Sequence, residues 1–130
     1  PSEVSSAAIG SDVAAGYYFL AMHNGQPSGT FKYQPDDPVI WPEASENEAA
    51  YIHRVAVKRA FAGGQLSSMM LQWAAERAAD EGKQFLRLDC AASRSRLRVL
   101  YERFGFVHHS DFQAGPYYVA RYQLSVPHVI

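Results

Sequence analysis

A chain of 130 residues, 48% of them hydrophobic, has the length of one domain with a sizeable core. Its formal net charge of −1 excludes a bulk electrostatic pull toward nucleic acid or an anionic membrane, and no apolar run approaches the roughly 20 residues of a membrane-spanning helix. The lone cysteine, Cys90, excludes an internal disulfide and fits a reducing cytoplasm.

The first residues do not read as a basic-then-apolar leader, and a start at proline rather than methionine suggests a trimmed fragment. Residues 1–16 suggest a short helix or two, through Val4, Ala7, Ala8 and Val13 with Ser5, Ser6 and Ser11 as caps. Tyr17–His23 reads as a strand. Asn24-Gly25 follows, the dipeptide most favoured in tight hairpins because both residues tolerate positive φ. Gly29–Gln34 is the return strand. Residues 35–47 carry three prolines with Asp36, Asp37, Glu43 and Glu46, so they form a loop. Trp41 within it either packs the loop onto the body or walls a substrate cleft.

Glu48–Lys58 is a strand whose alternation places Tyr51, His53, Val55 and Val57 on one face. A small-residue turn, Ala62-Gly63-Gly64-Gln65, leads into a helix over Leu66–Ala79. Leu66, Met69, Met70, Trp73, Arg77 and Ala78 form its buried stripe. Gln84–Cys90 is the next strand. Ser93 or Ser95 caps a helix with Leu97, Leu100, Tyr101 and Phe104 inward, stopped by Gly105. Phe106–Phe112 and Tyr117–Val126 close the chain as strands. The order defines an α/β layer with a mixed sheet.

The turn lacks the Gly-Lys-Ser/Thr of a Walker loop and the GxGxxG of a dinucleotide site. Taken alone, an ordinary connection and a phosphate cradle at a helix N-terminus stand equal. The histidines show no metal-ligand spacing, and His108-His109 point to opposite faces of a strand, so no metal is expected. Cys90 reads as core, without the Cys/His or Ser/His/Asp pattern of a nucleophile. Arg94, Arg96, Arg98 and Arg103 read as a solvated helix face rather than a nucleic-acid site, or as a contact for a cofactor phosphate.

Three segments together resemble the GNAT superfamily of N-acetyltransferases. They are YIHRVAVKRAFAGGQLSSMML, LRLDCAASRSRLRVLYERFGF and the Asn24-Gly25 hairpin with Gly29 opening its second strand. The piece Tyr101-Glu102-Arg103-Phe104-Gly105-Phe106 is the most specific. The resemblance implies one acetyltransferase-like domain over residues 1–130, with a mixed, mostly antiparallel sheet flanked by helices. In this reading the family's first strand and helix are missing. The departures are Ala62 at an Arg/Gln position, Gln65 at the central Gly, Ser67 at the final Gly/Ala, and Arg94 where Asn is frequent.

What the resemblance implies is transfer of an acetyl group from acetyl-CoA to a primary amine of a small molecule or peptide. The alternative is an acyl-CoA-binding or regulatory module with little catalysis. Acetyl-CoA is expected as co-substrate at Val55, Ala56, Val57, Ala62, Gly63, Gly64, Gln65, Leu66, Ser67, Ser68, Arg94 and Tyr101. The Val57 N–H is placed to polarise the thioester carbonyl. Tyr51 stands where a family Glu is expected as base, which leaves His53 and Glu48, although His53 reads equally well as a histidine bonded within the sheet. Tyr101 is the acid for the departing thiolate or a packing residue. No nucleic-acid or membrane partner is expected, and a homodimer is compatible with the family. The acidic loop from Asp36 to Glu48 either suits a cationic amine or is simply solvated.

Overall fold

The computed structural model describes residues 2–6, 18–58 and 65–127. They form β1 (Ser2–Ser6), β2 (Tyr18–His23), β3 (Gln26–Gln34), β4 (Ala49–Val57), α1 (Gln65–Asp80), β5 (Phe85–Ala91), α2 (Ser95–Phe104), β6 (Val107–Ala114) and β7 (Tyr117–Ser125). One seven-stranded sheet runs in the order β1-β2-β3-β4-β5-β7-β6. Among the described residues only β4 and β5 pair in parallel, and a parallel pair needs a long crossover, here the segment that contains α1.

The hairpin forms as expected. Asn24 and Gly25 both take positive φ (50° and 77°), the backbone of a two-residue turn that matches strand twist. Ser2–Ser6 differs from expectation. It is a strand, antiparallel to β2 with Val4 opposite Ala21, so a first strand is present rather than missing. Its five residues are too short and polar to show an alternation, and the pairing is specified by the β2 edge they join. The expected helical residues that follow, and the Ala62-Gly63-Gly64 portion of the turn, lie outside the described residues.

Helix α1 lies on the face of the sheet that holds the main core. Leu66, Ser67, Met70, Leu71, Ala74, Ala78 and Ala79 are buried. The stripe is rotated from the expected one, because Trp73 lies only half-buried against Phe19 and Phe31. The Arg77 guanidinium stacks over Phe19 and Tyr33. Helix α2 contributes Tyr101, which meets Phe106 and Tyr122. Its cap position is Arg94, without a side-chain cap bond, so neither serine caps it as expected; Ser95 is already helical.

The other face of the sheet is covered by the proline-rich loop. Trp41 is 2% exposed and lies between two guanidinium groups, Arg87 at 4.8 Å and Arg121 at 4.6 Å from its ring centre. Both arginines are buried and committed. Arg87 donates to Glu48 Oε2 (2.9 Å), Tyr51 Oη (3.0 Å) and Gln123 Oε1 (2.8 Å). Arg121 donates to the Ile40 carbonyl and Glu43 Oε1 (both 3.0 Å) and to Ser110 Oγ (2.8 Å). The loop is therefore fastened to β5 and β7 by charge-assisted bonds as well as by packing.

Candidate active site

The chemistry of the site begins with one extra residue. Along β3 and β4, Lys32 faces His53, but Thr30 faces Ala56. One residue of β3, Phe31, therefore opposes two of β4, Arg54 and Val55, which is a β-bulge. Beyond it the alternation of β4 is reversed. Tyr51 packs with Trp41 on the loop side, whereas Val55 and Val57 pack with Ile52 against the α1 core. The expected single face for Tyr51, His53, Val55 and Val57 is thus corrected: the bulge separates His53 from the two valines.

Strands β4 and β5 pair only from Ala49↔Phe85 to Tyr51↔Arg87. Beyond that point β5 continues beside β7 as far as Ala91↔Val119, while β4 stays with β3. The two strands fork. The Lys58 N–H donates to the Ser28 carbonyl at 2.8 Å, so in this antiparallel ladder Val57 and Gly29 form a non-hydrogen-bonded pair. The N–H and C=O of Val57 therefore point away from β3, into the fork. Gly29 leaves little room there for a side chain. A Cβ on it would lie 3.0 Å from the Ala56 carbonyl oxygen and 3.1 Å from both Met70 Sδ and Val57 Cγ1.

At the junction of the fork, three polar side chains meet. His53 Nε2 lies 3.0 Å from Asp37 Oδ2 of the loop, and His53 Nδ1 lies 3.8 Å from Asp89 Oδ1 of β5. Burial raises the Asp89 carboxyl above its ordinary pKa, against the attraction of His53. Asp37, His53 and Asp89 line a cavity of about 500 Å³ with Lys32, Gln34 and Ile40. A second cavity of about 390 Å³ shares Asp36 and Asp37 and reaches Trp41 and Tyr51. Trp41 therefore both packs the loop and walls a cavity.

Glu48 is not among the groups at the fork. Its carboxylate is held by buried Arg87. Tyr101 is 4% exposed, and burial pushes its phenol well up, so it keeps its proton throughout the working pH range. Cys90, beside it in the same core, is buried, and burial raises its thiol too, the opposite of an activated nucleophile. At the N-terminus of α1, Gln65 and Ser68 are exposed, and Leu66 and Ser67 are buried. Arg94 is exposed at the start of α2. Arg98 is not a free surface cation, since it donates to Tyr122 Oη at 2.9 Å and the Ala92 carbonyl at 3.1 Å. Asp37 and Asp89 were not singled out from sequence: they lie 16 and 36 positions from His53, and no local spacing brings them together.

Residues 5–106 match the Acetyltransferase (GNAT) family, and the chain belongs to that family. Over 70 residues it is 39% identical to the uncharacterized N-acetyltransferase YesJ of Bacillus subtilis (strain 168), a match that takes in 54% of this chain and 39% of that protein's length. Among solved structures, a GNAT family acetyltransferase from Listeria monocytogenes superposes with a TM-score of 0.70 at 27% identity, covering 86% of this chain and 67% of that one. A GNAT family acetyltransferase from Elizabethkingia anophelis, solved with acetyl-CoA bound, shares the fold with a TM-score of 0.74 at 14% identity, covering 96% of this chain and 98% of that one. Among the described residues no helix is long and apolar enough to cross a membrane.

Proposed function

We propose that this chain transfers an acetyl group from acetyl-CoA to a primary amine of a small molecule or peptide, by direct attack within a ternary complex. The observation that carries the reading is the fork: in a chain of this family, β4 leaves β5 after Tyr51 and aims the Val57 N–H and C=O into the gap. An extended pantetheine arm bonds to such a strand edge as an added strand does. The pyrophosphate is assigned to the segment from Ala62 to Ser68 and to Arg94, where the α1 N-terminus supplies partial positive charge.

His53 is the base in this reading, chosen over Glu48 because it lines the cavity while Glu48 is bonded to Arg87. The amine nitrogen attacks the thioester carbon, its proton passes to the imidazole, and the C–S bond breaks. Asp37 and Asp89 flank the ring and stabilise the imidazolium that forms. The Val57 N–H bonds the developing oxyanion, and the Tyr101 phenol, protonated throughout, donates to the departing sulfur. Cytoplasmic placement belongs to the same reading, supported by the free, buried Cys90.

The test is thiol release from acetyl-CoA across a panel of primary amines, for the wild type and His53→Gln. Amine-dependent release that falls about 10²-fold or more in His53→Gln is expected. The alternative, an acyl-CoA-binding module with little catalysis, rests on Gln65 and Ser67 at positions where the family pattern has small residues, with Ser67 only 4% exposed. Binding of acetyl-CoA without release to any amine establishes that alternative.

A further inference from the structure

We infer that Asp37, His53 and Asp89 form a binding site for a divalent first-row transition-metal ion, a site that acetyl transfer itself does not need. The three residues come from three segments, and one ligand atom from each lies within 4.8 Å of the others. One imidazole with two carboxylates suits zinc and its neighbours, and three protein ligands beside an open cavity leave positions for water. Two carboxylates balance the charge of such an ion.

A second observation stands apart from the clustering. The Asp37 side chain is 9% exposed, and its Oδ2 is buried with no hydrogen-bond partner although His53 Nε2 is only 3.0 Å away. The oxygen lies off the axis of the ring nitrogen. Groups that share a hydrogen bond face one another, whereas two ligands of one ion stand side by side and aim at a common point. With bonds of about 2.0–2.2 Å, adjacent ligands of one ion sit about 3.0–3.5 Å apart, which matches the 3.0 Å observed. Asp89 Oδ1 now stands 3.8 Å from the other ring nitrogen, Nδ1, so completing the shell on the Nε2 side requires its carboxylate to turn toward Asp37. The remaining Asp37 oxygen accepts the Ile40 N–H at 3.3 Å, the outer-shell bond that orients a ligating carboxylate. Resting on the reading of His53 as base, an ion on its nitrogen removes the lone pair that accepts the amine proton, so the site is inhibitory.

The full chain is titrated calorimetrically with ZnCl₂ near neutral pH, and with CoCl₂ while the visible absorption is followed. Binding of one ion per chain is expected, with visible bands of coordinated cobalt. His53→Ala and Asp89→Asn each weaken it by about tenfold or more; His108→Ala, at the exposed His108–Asp111 pair, leaves it unchanged. Thermal melts confirm that each variant is folded, and Asp37→Asn supplies a third. Absence of saturable binding, or binding lost in His108→Ala and retained in His53→Ala, overturns the inference. Zinc binding without acetyl transfer to any amine discards the catalytic reading and leaves the site; transfer without zinc binding does the reverse.

Discussion

Substituting proline for Val57 separates the sheet from the chemistry. Proline removes one N–H, and its cost depends on where that N–H points. At Val57 it points into the fork, because the neighbouring Lys58 N–H is the one bonded to Ser28, at 2.8 Å. Val57→Pro therefore takes no bond from the β3–β4 ladder and loses only part of a half-buried valine's packing, about 1 kcal/mol. Lys58→Pro strands the Ser28 carbonyl and costs about 1–3 kcal/mol for that acceptor alone. In activity the order reverses. Loss of one oxyanion donor lowers kcat by about 10²–10³-fold, or roughly 2.7–4 kcal/mol, so Val57→Pro is folded and slow. The assays are a thermal melt and kcat at saturating acetyl-CoA for both variants. A kcat for folded Val57→Pro within about threefold of wild type shows that the N–H does not act on the thioester. A melting temperature depressed as far as that of Lys58→Pro shows that the N–H belonged to the ladder.

Tyr101→Phe lowers the rate of acetyl transfer more than it weakens acetyl-CoA binding, read as kcat against calorimetric affinity; equal losses in both assign Tyr101 to packing alone. Trp41→Ala costs about 3–5 kcal/mol in denaturant unfolding, and by loosening the loop raises KM for the amine without changing that for acetyl-CoA. Trp41→Phe removes an indole N–H that is buried without a partner, worth about 1–3 kcal/mol, and so costs far less than Trp41→Ala. The bond from Arg121 holds the Glu43 carboxyl below its ordinary value of 4.5. A depressed acid stabilises the fold above its unfolded pKa and loses that contribution as pH falls through the folded value. In a Trp73→Phe background, Trp41 fluorescence accordingly shifts below pH 4.5, and Glu43→Gln removes that low-pH phase.

The hairpin was legible because Asn24-Gly25 carries its own backbone preference. The strand–helix–strand–helix order was legible because apolar periodicity changes from 2 to 3.6 at each boundary. The bulge in β4 was not. Nothing in Arg54-Val55 marks an extra residue, and a period-2 reading assigns Val55 and Val57 to the face of His53. Register is a property of the pair of strands, fixed here as the hairpin and α1 close on Gly29. Strand β1 was hidden for a related reason, since its pairing depends on the β2 edge rather than on its own residues. At the site, the family pattern pointed to Tyr101 and, with Tyr51 where its Glu is expected, left His53 and Glu48 as candidates for the base. The partners of His53, Asp37 in a loop and Asp89 in a neighbouring strand, come together only when that loop is fastened through Trp41.

In the proposed function the fork between β4 and β5 holds acetyl-CoA. Calorimetric titration of the chain with acetyl-CoA tests it most directly. Saturable binding of one molecule per chain is expected, weakened in Val57→Pro and unaffected in His53→Gln. Absence of binding at high micromolar acetyl-CoA, or binding indifferent to Val57→Pro, contradicts it.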